Sequence, residues 1–293
     1  MRRWTVSCVT IALMATIGCQ QDWEPKDSSS FTELTAVEYP KAEFEPADPT
    51  NYTEADRPND DAILQVIFAM SQGTYSGTIA YFQTPSVGGS AHYILAEDGR
   101  VAQMVSEADR AWFVGGANTN TVGVSLEGDS TDPSHPEPLY QAAAELGTYL
   151  AWKYDIPEDR SGFIGRDEIK TSESNPGDGW DWNHFITLLQ ATEPWGDLVG
   201  FVRACDIQDP DAGLANARVY IETAAGAAVT DVIARTDGLF SVPELPLGDY
   251  VIKVQEPGFY AAQRDVQLVS ENAYSQTWGS IAVVPLAGCG DEL

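Results

Sequence analysis

The chain has 293 residues, 44 acidic against 16 basic side chains, and a formal charge of −28. A pI near 4.1 excludes the basic footprint that neutralises phosphates, so nucleic acid is not a partner; nor can charge hold such a surface on anionic lipid. With 43% hydrophobic and 20% charged residues the chain is not a disordered acidic polymer, and its length suits two domains.

Met1-Arg2-Arg3 is a short positive start, and Trp4 to Ile17 is an uncharged, mostly apolar run of fourteen residues. That is too short to span a bilayer and the right size for a signal-peptide core. Gly18-Cys19 resembles the lipobox of bacterial lipoproteins, with Thr16 where a larger aliphatic residue is usual. The resemblance implies lipidation at Cys19. Gln20 after it implies the outer membrane, facing the periplasm or the cell surface. An ordinary cleaved signal with an incidental cysteine is the alternative. Residues 20–61 hold twelve Asp/Glu, three Lys/Arg, five prolines and no lasting apolar period, so they read as a solvated, self-repelling tether. Cys205 and Cys289 remain as an even pair, read as a disulfide in an exported protein.

Ala62–Ala69 reads as a buried strand, and Thr74–Phe82 as a short helix stopped before Pro85. Ala91–Ala96 and Val101–Val105 flank an Asp98-Gly99 turn, a hairpin signal. Val122–Glu127 is a further strand; Pro138–Tyr154 and Trp182–Ala191 are helical. From Gly196 onward seven short β runs recur, separated by Gly, Pro or Asp, which suggests an antiparallel sandwich. The expected organisation is a signal at 1–18, a lipidated acidic tether at 19–61, an α/β domain at 62–195 and a β-sandwich at 196–293.

Val66–Ile79, Ser90–Tyr93, Asp98-Gly99-Arg100, Ala111-Trp112, Val122–Val124 with Glu127-Gly128, Tyr154–Gly165 and Pro176–Trp182 follow one pattern in order. Together they resemble the zinc-dependent N-acetylmuramoyl-L-alanine amidases related to peptidoglycan-recognition proteins. The resemblance implies a mixed sheet flanked by helices, with a groove for a muramyl peptide. Those enzymes cut the amide between the lactyl group of muramic acid and L-alanine. Zinc polarises the carbonyl and activates water, and it needs three lone-pair ligands with one open position. The three ligand positions fall here on Phe68, Arg166 and Asn175. Phe offers no lone pair, Arg is a permanent cation, and Asn is a weak neutral donor. Phe113 and Ser125 stand where the family carries a histidine and a glutamate. The expectation is a pseudoenzyme: a scaffold without its hydrolytic centre, no catalytic residues and zinc lost.

The remaining histidines, His92, His135 and His184, show no metal-ligand spacing, and a Ser125–His92 nucleophile has only its residue types in its favour. Tyr75, His92, Trp112, Asn118, Asn120, Glu127, Arg166, Glu173 and Trp180 are the substrate-groove candidates. Tyr93, Trp112, Trp180 and Trp182 have packing as their competing role. Arg166 can meet a stem-peptide carboxylate, or pair with Glu173 or Asp167 and fill the old metal cavity. Gly213–Glu222, Arg235–Val242 and Leu245–Val254 resemble the carboxypeptidase regulatory-like, prealbumin-like domains, which implies a spacer or a module for an envelope protein. Asp206, Asp209 and Asp211 lack EF-hand spacing. The expected function is a cell-envelope lipoprotein that binds peptidoglycan or muropeptides. A working amidase and a pure protein-interaction lipoprotein are the alternatives.

Overall fold

The computed structural model describes residues 37–270 and 273–289. The signal at 1–18, Cys19 and the first part of the acidic tether lie outside the described residues. The first domain is built on a six-stranded mixed sheet. In chain order its strands are β1 (Ala42–Phe44), β3 (Gln65–Met70), β4 (Tyr93–Leu95), β5 (Val101–Gln103), β7 (Thr121–Leu126) and β8 (Phe163–Gly165). The spatial order is β1-β5-β4-β7-β3-β8. Strands β4, β7, β3 and β8 run parallel, and β5 is antiparallel to β4 across the expected hairpin. Gly99 in that turn has φ +93°, a value that favours glycine.

β3 and β7 are covered on both faces, which explains why they read as continuous apolar runs. The period of two then divides β3. Val66, Phe68 and Met70 pack with α2 (Glu137–Tyr154) and α3 (Trp182–Ala191). Ile67 and Ala69 face the other side, in the core that includes α1 (Tyr75–Phe82) and Phe113. α1 is capped by Thr74, whose Oγ1 accepts from Gly77 N, and α3 by Asp181, whose Oδ1 accepts from His184 N. The sequence boundaries of α1, α2 and α3 agree with the observed ones to within a residue.

The tether expectation is corrected from Val37 onward, because residues 37–61 fold onto the domain. β1 pairs in parallel with β5, and the two-residue strand β2 (Tyr52–Thr53) pairs with β6 (Arg110–Ala111). Tyr39, Ala42, Ala47 and Asn51 are buried. Arg57 is buried as well; it donates to the carbonyls of Asn118, Thr119, Thr121 and Glu107. The apolar residues of this strap are spaced too irregularly to show a period, and one well-bonded arginine looks like a solvated charge in sequence.

Among the described residues the second domain has eight strands. They are β9 (Trp195–Ala204), β10 (Arg218–Thr223), β11 (Ala228–Ile233), β12 (Leu239–Pro246), β13 (Gly248–Val254), β14 (Ala262–Leu268), β15 (Gln276–Trp278) and β16 (Ile281–Val283). One sheet is antiparallel, in the order β11-β10-β13-β14; the other is β12-β9-β15, with β16 also on β9. Leu198, Val219, Ile221, Phe240 and Ile252 fill the space between them. β15 escaped sequence reading because it is three residues long with one apolar side chain, and it joins β9 in parallel. Cys205 and Cys289 form a disulfide. The domains touch through an aromatic seam in which Tyr149 and Trp152 of α2 meet Tyr274. Lys41 ties the strap to both sides, reaching Glu145 at 3.1 Å and Glu244 at 3.0 Å.

Candidate functional site

A groove of about 750 Å³ opens at the C-terminal ends of β3 and β7. Ala69 and Ser125, opposite each other in register, form part of its floor. Its walls come from residues 70–74, one side of α1, the loops at 87–90 and 112–118, and Arg166 with Lys170. Its polar lining includes Ser71, Gln72, Thr74, Thr78 and Ser90, and its exposed aromatics are Tyr81 at 53% and Trp112 at 38%. Trp112 is fixed rather than free: Nε1 donates to Thr53 Oγ1 at 2.8 Å and its backbone N–H to Ser90 Oγ at 2.9 Å. Phe113 rests on Gly123, where an added Cβ would come within 2.6 Å of the ring.

The structure sorts the sequence candidates into groups. Trp112, Asn118 and Arg166 line the groove. Asn118 also shapes its loop, since Oδ1 accepts from the N–H groups of Phe113 and Val114. Glu173 stands just behind, with Oε2 3.1 Å from Arg166 Nε. Tyr75 is buried off the groove under the Arg100 guanidinium. Trp180 is 2% exposed and stacks on Tyr140 at 4.2 Å. Asn120 Nδ2 donates to Ala62 O. Glu127 takes the N–H of Tyr75 on one oxygen and that of Glu97 on the other, so it braces the start of α1. Lys170, Tyr81 and Ser90 were missed. Single polar or aromatic residues on a loop or helix carry no pattern, and only the folded groove brings them together.

His92 is a core residue. Nδ1 accepts from Gly123 N–H, Nε2 lies 3.2 Å from Asp109 O, and Arg57 Nη2 stands 2.7 Å from Nε2. Burial first, and Arg57 second, push its pKa down to about 3. Such a ring is a weak base, and no hydrogen bond joins it to Ser125 among the described residues. The Ser125–His92 arrangement therefore has no geometry to work with.

The three positions equated with zinc ligands do not fit a zinc ion. Phe68 is fully buried on the helix side of the sheet, in contact with Phe163, Trp180, Trp182 and Phe185. Asn175 uses both ends of its amide on the backbone of Met70, accepting at 2.5 Å and donating at 3.1 Å. Arg166 brings a positive charge, with its guanidinium carbon 5.7 Å from the Phe113 ring centre. Among the described residues, no group of three or more His, Cys, Asp or Glu side chains is placed to hold a metal. In the second domain Asp206 and Asp209 accept from the N–H groups of Gln208 and Asp211, which makes them turn-forming groups.

Residues 59–178 match the family described as N-acetylmuramoyl-L-alanine amidase, and residues 200–277 match the carboxypeptidase regulatory-like domain. The chain carries an amidase-family domain. Amidase A of Achromobacter lyticus is 28% identical over 174 residues, covering 53% of this chain and 96% of that protein. The 1,6-anhydro-N-acetylmuramyl-L-alanine amidase AmpD of Haemophilus influenzae is 29% identical over 111 residues; the match spans 34% of this chain and 59% of that protein. Among solved structures, a selenomethionine derivative of AmpD aligns at 22% identity and a TM-score of 0.45, over 51% of this chain and 95% of that one. The Drosophila peptidoglycan recognition protein SD aligns at 16% identity and a TM-score of 0.36, over 46% and 83%.

Proposed function

We propose that the amidase-family domain binds peptidoglycan or muropeptides without hydrolysing them. The observation that carries this reading is the contrast between an open groove of about 750 Å³ and three ligand positions turned to other work. Phe68 is committed to the core, Asn175 to the Met70 backbone and Arg166 to a cationic wall. Trp112 and Tyr81 offer faces to sugar rings, and the serine and threonine hydroxyls offer hydrogen bonds to a peptide. Loss of lone-pair donors removes the means to polarise an amide carbonyl, while shape and stacking survive it.

In this reading Cys19 carries the lipid and keeps the protein at the outer membrane, and the sandwich spaces the groove from an envelope protein partner. Metabolic labelling with a fatty acid, lost in Cys19→Ala, tests the anchor. The central experiment incubates the purified chain with sacculi and measures pelleting, released L-alanine-ended peptides and bound zinc. Pelleting without peptide release is expected. Release with stoichiometric zinc identifies a working amidase instead. Failure to pellet leaves the pure protein-interaction reading in its place.

A further inference from the structure

We infer that the groove recognises a free carboxylate: the acid left on an N-acetylmuramoyl group after its amide to alanine has been cut. This rests on the peptidoglycan-binding reading and specifies its ligand. Arg166 and Lys170 share one wall of the groove. Their nearest acidic partner is the same carboxylate, Glu173, at 3.1 Å from Arg166 Nε and 3.9 Å from Lys170 Nζ. Of the other acids on this segment, Glu168 is held by Arg160, and Asp167 forms no ion pair with Arg166 or Lys170 among the described residues. The two Nη groups of Arg166 donate no hydrogen bond to the protein among the described residues, so two cations face one anion. The groove side of this wall therefore presents cationic donors, in a chain of charge −28.

The chemistry of the wall selects the ligand. A guanidinium has only donors, and its paired N–H groups match the two oxygens of a carboxylate. An intact muramoyl–alanine amide offers one carbonyl oxygen and an N–H that would face those donors. The cleaved acid offers two acceptors and a negative charge. Arg166 also stands at a position where related amidases are expected to hold the metal beside this bond. The muramoyl carbonyl is therefore the group that a similar pose brings to it. Arg166 is about one-quarter exposed, with Phe113 near its guanidinium, so the pairing is screened less than in open water. The protein would then act after an amide hydrolase, on glycan whose stem peptides are gone.

The experiment compares binding of the full chain to intact sacculi and to sacculi stripped by an active amidase, with free stem peptides as competitors. Stem peptides are the other source of carboxylates. Tighter retention on stripped glycan, by about ten-fold, is expected, and it falls with added salt. Arg166→Gln and Lys170→Gln each reduce that preference, and Arg166→Lys restores part of it. Lys170 lies on the surface, so its variant tests the wall even where Arg166→Gln misfolds; thermal unfolding checks both. Equal or tighter binding to intact sacculi overturns the inference and leaves peptidoglycan binding standing. Displacement by stem peptides alone, without preference for stripped glycan, also overturns it. Retention on neither material overturns both readings.

Discussion

Asn175 holds the backbone of Met70 from both sides: its Oδ1 accepts from the Met70 N–H at 2.5 Å, and its Nδ2 donates to the Met70 carbonyl at 3.1 Å. The last residue of β3 thus gains a side-chain partner at the point where the sheet ends. Asn175→Ala strands both backbone groups in a buried site and should lower stability by about 1–3 kcal/mol. Asn175→Asp keeps the acceptor and turns the donor into an oxygen facing a carbonyl. It should be no more stable than the alanine variant at neutral pH. Urea unfolding of the two variants side by side checks this. An aspartate that is much more stable than alanine would show that the Met70 carbonyl does not need a donor.

Phe68 makes a parallel case on the other face of the strand. Its ring centre lies 5.0 Å from Phe185 and 5.8 Å from Trp180. Phe68→Ala should cost about 3–5 kcal/mol through the cavity it opens. Phe68→His should also destabilise, by roughly 1–3 kcal/mol, because the imidazole finds only aromatic neighbours. The triple variant Phe68→His, Arg166→His, Asn175→Asp supplies three side chains able to ligate zinc without turning residue 68 toward the groove. Zinc content after dialysis should stay well below one per chain. Stoichiometric tight zinc would show that the strand can rotate its side chains.

His92 predicts a pH dependence. Its folded pKa is about 3, below the ordinary value of about 6.5. The unfolded chain therefore binds a proton that the native core refuses. The stability that this neutral ring contributes is complete above about pH 6.5 and is lost as the pH falls toward 3. The slope approaches 1.4 kcal/mol per pH unit, and the total is on the order of 4–5 kcal/mol. Denaturant titrations between pH 7 and 4 should show a shallower fall in His92→Gln than in the parent chain. Equal slopes would mean that His92 accepts its proton in the folded state.

The sequence was most readable where one local rule governs the backbone. The Asp98-Gly99 turn, the caps Thr74 and Asp181, and the paired cysteines of the second domain all act through near neighbours or a single strong bond. The strap at 37–61 was misread because its order comes from partners far along the chain. Arg57 is satisfied by carbonyls more than fifty residues away, except that of Glu107, which is 50 residues distant. In the groove, the types at 68, 166 and 175 were legible through the family pattern, but their orientations were not. Glu127 looked like a binding carboxylate because its use as a brace for α1 depends on where β7 ends. Lys170 had no signal until Arg166 stood beside it.

The Cys205–Cys289 bond closes a sequence separation of 84 residues around nearly the whole second domain. Loop-closure entropy puts its contribution near 4–5 kcal/mol in an ideal case, with about 2–4 typical. Replacing both cysteines with serine should lower the unfolding midpoint of the sandwich. The amidase-family domain should respond only through its contacts with the sandwich, which include the Tyr149–Tyr274 seam and the Lys41–Glu244 pair. Following near-ultraviolet tryptophan signals beside hydrogen exchange in β10 and β13 separates the two. Equal loss of protection in β3 and β7 would mean that the domains unfold as one unit.

Two tryptophans distinguish groove from core by the way their loss is felt. Trp112 is partly exposed on the groove wall, whereas Trp180 is buried against Tyr140 and Phe68. Trp112→Ala removes a stacking face worth about 0.5–1.5 kcal/mol, so sacculus binding should weaken roughly two- to ten-fold with a small change in unfolding midpoint. Trp180→Ala should cost about 3–5 kcal/mol of stability. Its binding, measured well below its unfolding temperature, should change less than that of the Trp112 variant. Binding isotherms and thermal melts on the same preparations decide the matter. If Trp180→Ala abolishes binding while the chain stays folded, the ligand reaches the helix face of the sheet, and the groove at 69–74 is not where it sits.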